Sequence, residues 1–227
     1  MNVKAKVAVF PKALPAGTGL DAVILDAWAT LQDLVDALEP LADSSQITKP
    51  YLPGRAGPCR GCSGSCCTVS LIAPDIVFFL AERNTTTPDL CRDWMDPVAL
   101  RYGLPRLKSR PCLFLSGDLC SIYDRRPLLC RLFLCTPLSE ELEVLIHSAT
   151  GHGLAELQRH LRGLGVVPEL VEVFPGDQYE QEIHRACRQR LFDPVRPFAG
   201  VSRYDQVSLQ SLVDTRTWSV LTRTGPA

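Results

Sequence analysis

Eight of the ten cysteines in this 227-residue chain fall into two groups, and no other feature limits the fold as strongly. The first is CRGCSGSCC, with Cys59, Cys62, Cys66 and Cys67 inside nine residues. The second is Cys112, Cys120, Cys130 and Cys135. Two residues between Cys59 and Cys62 let the chain turn back and present both sulfurs to one ion. Gly61 and Gly64 relax the backbone around that turn. The remaining thiols of such a site come from Cys66, Cys67 or a distant segment.

Disulfides and metals compete to explain an even cysteine count, and the compartment decides between them. The N-terminus MNVKAKVAVFPKALPAG carries an apolar stretch only from Val7 to Phe10. That is shorter than the roughly 7–15 residues of a secretory core. The longer apolar runs, such as 76–81, fall far below the ~18 residues that cross a bilayer. A cytoplasmic protein without a membrane span is expected, and reducing conditions favour metal or redox chemistry over disulfides.

The formal net charge is −1, which offers no polyanion-binding surface, and no nucleic-acid partner is expected. From Arg55 to Arg131 there are eleven Lys/Arg and seven Asp/Glu, a local balance of +4. Cations beside thiolates lower the cost of gathering negative sulfur, so this stripe is read as compensation for a metal site.

Periodicity predicts an amphipathic helix over 20–38, started near Asp21, stopped by Pro40 and anchored in the core by Trp28. Residues 40–58 read as a linker. A second helix is expected over 72–84 with Pro74 near its first position and Asp75 in its first turn. Residues 85–99 read as a polar connection. Short strands at 112–115 and 119–123 flank Ser116-Gly117-Asp118, which suits a hairpin turn; Tyr123 is read as a catalytic acid or a packed hairpin residue, with packing preferred. A short helix or an irregular turn follows from Pro127. Residues 140–148 are ambiguous between helix and strand. Helices are expected at 154–164, ending at Gly165, at 177–191, and at 205–213 before a frayed end. The fold class is α+β: mainly helical, with a small β-hairpin and loops organised around a cysteine metal site. Three regions are expected within one compact unit. These are an N-terminal helix and linker (1–58), a metal-binding region (59–135) and a C-terminal helical region (136–227).

CRGCSGSCC followed by PCLFLSGDLCSIYDRRPLLCRLF at 111–133 resembles the zinc- or iron-chelating cysteine-cluster family, called YkgJ-like. Its pattern is CxxCxxxCC, then C-x-F-L, then C-x-I-Y-x-x-R-P-x-x-C-R. The matching residues are Cys59, Cys62, Cys66, Cys67, Cys112, Phe114, Leu115, Cys120, Ile122, Tyr123, Arg126, Pro127, Cys130 and Arg131. The resemblance implies Cys59, Cys62, Cys66, Cys67, Cys112, Cys120 and Cys130 as metal ligands, holding an iron–sulfur cluster (4Fe-4S) or zinc. Cys135 stands outside the pattern. Flagellin lysine N-methylases share the pattern, so a lysine methyl-transfer enzyme is the alternative, and a redox or metal-handling protein a further one. Catalytic residues, the substrate and any protein partner are not indicated by the sequence.

Other residues admit two readings. Arg126 and Arg131 can hold an anionic substrate, or they can bond sulfur or pair with Asp118 or Asp124; the structural reading is preferred. His147 and His152 bracket what reads as a loop and are the better ligand candidates among the four histidines. Cys91 and Cys187 are expected to be ordinary buried thiols. Ala16-Gly17-Thr18-Gly19 has the look of a nucleotide-binding turn but lacks the third glycine.

Overall fold

The computed structural model describes residues 5–50, 54, 59–60, 74–82, 93–108, 111–169, 175 and 178–223. Cys62, Cys66, Cys67 and Cys91 lie outside the described residues, as do parts of the expected 40–58 linker and 85–99 connection. The expected α+β class holds: helices dominate, beside two small antiparallel sheets.

The N-terminal region departs from its helical reading. Strands β1 (Val7–Leu14) and β2 (Gly17–Ile24) form an antiparallel hairpin in register from Val7↔Ile24 to Leu14↔Gly17. Leu20, Ala22 and Ile24 are buried at alternate positions, which is strand periodicity. Ala16-Gly17-Thr18-Gly19 is the turn and start of β2, so it is a hairpin element and not the opening of a helix. Asp21 sits mid-strand, where its carboxylate accepts from Lys12 at 2.6 Å and from the Ser139 hydroxyl at 2.6 Å. Helix α1 is confined to Leu31–Leu38, and Trp28 is 83% exposed, not a core anchor. Thr30 and Asp33 form a reciprocal capping box that fixes this later start. Pro40 sits in a 3-10 turn, Glu39–Asp43, that continues directly from α1.

A segment before the longest helix completes the hairpin's edge. Leu20 N–H donates to Pro137 O at 2.9 Å, and Ser139 N–H donates to Leu20 O at 2.9 Å. Gly19 permits this approach, since a Cβ there would lie 2.2 Å from Pro137 O.

Helix α2 (Ile76–Ala81) is shorter than expected because Asp75 is its N-cap, accepting from Phe78 N–H at 3.0 Å. Helix α3 (Pro97–Arg101) lies partly in the expected connection and is capped by Asp96. The second hairpin is also shorter, with β3 (Leu115–Ser116) and β4 (Leu119–Cys120) around Gly117, whose φ is +60°. Tyr123 begins a 3-10 turn, Tyr123–Arg125, beyond the hairpin. Helix α4 (Leu128–Leu132) follows Pro127 as expected.

Helix α5 (Glu140–Gly163) joins the ambiguous 140–148 segment to the expected 154–164 helix. Gly151 and Gly153, which look like breakers, are packing positions. A Cβ at 151 would meet the Arg190 side chain, and one at 153 would lie 2.8 Å from Asp75 Cβ. Gly165, φ +68°, stands just beyond its end. Helix α6 (Gln178–Leu191) matches its expected position. The expected 205–213 helix is instead two 3-10 turns, Tyr204–Gln206 and Leu209–Leu212. Beyond them the expected frayed end holds α7 (Thr215–Leu221), capped by Asp214.

The main core gathers Leu31, Leu34 and Leu38 of α1, Leu128 and Leu132 of α4, and Leu142, Leu145 and Leu157 of α5. Within it lies one polar hub. The buried Asp75 carboxylate accepts from Phe78 N–H, from Leu128 N–H at 2.8 Å and from the Tyr204 hydroxyl at 3.0 Å.

Three expected outcomes follow from these contacts. Gly19→Ala should destabilise by about 1–3 kcal/mol, because backbone must give way to the added methyl; chemical denaturation measures it. For Asp75, burial pushes the carboxyl above its ordinary value of 3.8 despite the donors around it. Its contribution to stability is then largest below that value and is lost as pH rises through the native one. The stability difference between wild type and Asp75→Asn should therefore shift in favour of wild type as pH falls. Urea titrations at several pH values check the sign. Asp75→Ala should cost about 3 kcal/mol, since it orphans buried donors.

Candidate metal centre

Four of the six described cysteines are candidate ligands, and they come from four separate places in the chain. Cys112 precedes β3, Cys120 ends β4, Cys130 lies in α4 and Cys59 follows the turn after α1. None of the six described cysteines is joined in a disulfide.

The β3–β4 register sets Cys120 opposite Leu115, whose N–H donates back to Cys112 O at 3.0 Å. This turn brings the Cys112 and Cys120 thiols within electrostatic reach. Burial, chiefly, holds the Cys112 thiol above its ordinary value, and the nearby Cys120 adds to the effect. Cys130 joins Cys112 in one apolar cluster with Leu107, Trp94 and Phe114. Trp94 and Phe114 meet edge to face at 5.2 Å, and Phe78 of α2 packs on both. Cys112 and Cys130 thus stand against an aromatic wall, with Cys120 near Cys112.

Cys59 is held by the segment that follows α1. Its N–H donates to Ala42 O at 3.1 Å and to Asp43 Oδ1 at 3.1 Å. The buried Lys49 ammonium also donates to Ala42 O. Cys59 Sγ lies 3.9 Å from Leu134 O, just past the end of α4. The next residue, Cys135, is buried and adopts φ 55°, a left-handed conformation rare for a residue with a side chain.

Cationic groups surround this face. Arg131 makes a bidentate pair with Glu39, at 3.2 Å from Nε and 2.9 Å from Nη2. The partner is therefore Glu39 of the post-α1 turn, 92 residues away, and not the neighbouring Asp118 or Asp124. Arg126 donates from Nε to Tyr123 O at 2.7 Å and lays its guanidinium over the Tyr123 ring at 3.8 Å. Arg60 covers the same ring at 5.2 Å. Arg126 Nη2 and the Tyr123 hydroxyl are buried with no hydrogen-bond acceptor among the described residues. Thiols, cations and orphaned donors together are what a thiolate–metal centre requires around it. The donor chemistry of these residues suits such a group, although among the described residues no three potential ligands are placed to hold one ion together.

The histidines are elsewhere in the fold. His147, His152 and His160 lie on α5 and His184 on α6. The stretch between His147 and His152 is helical, contrary to the loop reading. Both line a cleft of about 760 Å³ with Glu143, Arg190 and Asp193. His147 is solvent-exposed, while burial and Arg190 hold the His152 imidazole below its ordinary value. Among the described residues no group of three or more His, Cys, Asp or Glu is placed to hold a metal ion. Cys187 fits its reading as a buried thiol: it donates to Gln158 Oε1 at 3.1 Å, and burial pushes its pKa up to about 12. The anchors that sequence reasoning missed are Glu39, Asp75 and Tyr204. Only the cap position of Asp75 before an apolar run offered a local signal.

Comparison with known proteins gives one match. Residues 58–150 match the family model CxxCxxCC, described as "Putative zinc- or iron-chelating domain". That name writes two residues before the paired cysteines, where this chain has Ser63, Gly64 and Ser65. No curated protein and no solved structure matches the chain. Also, among the described residues, no helix is long and apolar enough to cross a membrane. Residues 58–150 of the chain are thus similar to the CxxCxxCC family of zinc- or iron-chelating domains.

Proposed function

We propose that this protein holds an iron–sulfur cluster or zinc through Cys59, Cys62, Cys66, Cys67, Cys112, Cys120 and Cys130, with a cluster the preferred occupant. The supporting observation is the seating of Cys112, Cys120, Cys130 and Cys59 on or against α4 and the β3–β4 hairpin, although 71 residues of sequence separate the first from the last. The candidate ligand set consists of thiolates alone, which suits a [4Fe–4S] cluster as well as zinc. Seven thiols exceed the four that one such site needs, so the surplus either builds a second site or lies beside the first. Residues 59–135 then act as the metal-binding region, with 1–58 and 136–227 packing around it. A reducing compartment such as the cytoplasm keeps the thiols available.

Metal binding of this kind contributes directly to folding, because the ligands converge only in the native state. Protein purified without oxygen should be brown and contain iron with acid-labile sulfide. Zinc in a colourless sample would reject the cluster and keep the metal reading. Absence of both metals from the native protein would reject metal binding altogether. Cys59→Ala and Cys62→Ala should each lower metal content and soluble yield together, and full occupancy in both variants would remove these two ligands from the set.

A further inference from the structure

The mechanism of holding a metal does not by itself account for two buried donors. The Tyr123 hydroxyl and Arg126 Nη2 each lack a hydrogen-bond acceptor among the described residues. Arg126 is only 8% exposed, so water does not readily supply one. Its Nη2 lies 3.6 Å from Glu39 Oε1, an ion pair beyond hydrogen-bond range. Glu39 has instead committed both carboxylate oxygens to Arg131.

The donors are held in place from several directions. Arg126 Nε is fixed on the carbonyl of Tyr123, and its guanidinium is stacked on that same ring. Arg60 covers the ring too, and it directly follows Cys59 in the chain. Cys59 itself is pinned at Ala42 and Asp43, beside the Glu39 turn. Cys59 is near enough to Tyr123 to act on it electrostatically, so the two orphaned donors stand close to Cys59.

Resting on the metal reading above, we propose that Tyr123 and Arg126 are positioning residues that donate hydrogen bonds to thiolate sulfur of the bound centre on its Cys59 side. A metal-bound thiolate carries negative charge and accepts hydrogen bonds that a neutral thiol accepts poorly. Such bonds spread charge off the sulfur, slow ligand loss and raise the reduction potential of a redox-active centre. The acceptor is assigned to sulfur and not to a diffusible anion because Glu39 already offsets much of the local positive charge. Both donor atoms are also buried, beside a ring that Arg60 covers.

The test compares wild type with Tyr123→Phe, which removes one hydroxyl and keeps the ring on which both guanidinium groups rest. Each metal-loaded protein is exposed to excess EDTA, and metal release is followed by absorption. Circular dichroism and starting metal content serve as the fold control. Tyr123→Phe should release metal about 10-fold faster than wild type from a centre loaded to the same level. Arg126→Lys, which keeps the charge but loses the planar fork, should show the same direction and provides the reading if the first variant does not load. Release rates for both variants that match wild type would overturn the donor assignment while leaving the metal centre standing. Slower release of wild-type metal in the presence of inorganic phosphate, abolished in both variants, would assign the donors to a free anion and overturn it as well. A native protein with no metal would remove both this inference and the reading beneath it.

Discussion

A single buried carboxylate holds together the parts of the fold that carry the cysteines. Asp75 caps α2, receives the first N–H of α4 and accepts the hydroxyl of Tyr204 from the C-terminal region. A buried acid with no cation hydrogen-bonded to it is costly, and it is tolerated because each lone pair is answered by a donor. α4 carries Cys130, and α2 supplies Phe78 to the aromatic wall behind Cys112. The relative placement of two candidate ligands thus depends on one side chain that is not itself near any sulfur by sequence. Tyr204 extends the same network, since the Arg131 guanidinium lies 6.0 Å over its ring. From Arg131 the chain of contacts runs through Glu39 to Arg126 and Tyr123, and so reaches the face where Cys59 sits.

What the sequence made legible was chemistry carried by local spacing. The CxxC pair, the Ser-Gly-Asp turn between Cys112 and Cys120, and the Pro127 helix start are all short-range patterns, and the family match covers them. What escaped was decided at long range. Leu20, Val23 and Ile24 suit a helix face as well as a strand; pairing with β1, and at Leu20 also with the Pro137–Ser139 segment far along the chain, makes them a strand. Trp28 looked like a core residue by hydrophobicity, yet the tight link between β2 and α1 leaves it outside. Gly151 and Gly153 read as a break because helix propensity prices glycine without knowing what approaches it. Arg190 and Asp75 do approach, and the helix runs straight through.

The same distinction explains the charged residues near the centre. Neighbouring acids at 118 and 124 were the nearest partners in sequence for Arg126 and Arg131. The fold pairs them with Glu39, because the α1 turn is carried against α4 by the shared core of Leu34, Leu38, Leu128 and Leu132. The local excess of positive charge in 55–131 is therefore reduced by an acid from outside that window. What is left over is small, directional and placed by stacking on Tyr123.

The junction between β2 and residues 137–139 has a consequence for how the protein is made. Asp21 and Ser139, bonded across it, are 118 residues apart. At ribosomal speeds the first hairpin waits on the order of ten seconds for the segment that completes its edge. Every thiol of the CxxC loop and of the hairpin group up to Cys135 is synthesised inside that interval, since all lie between the two ends of the loop this junction closes. The candidate ligands therefore emerge while the enclosing loop is still open, which gives metal or cluster delivery a window before the N-terminal hairpin docks. Until then the bare edge of β2 is a site for mispairing, kept short by its turn and punctuated on its partner strand by Pro11.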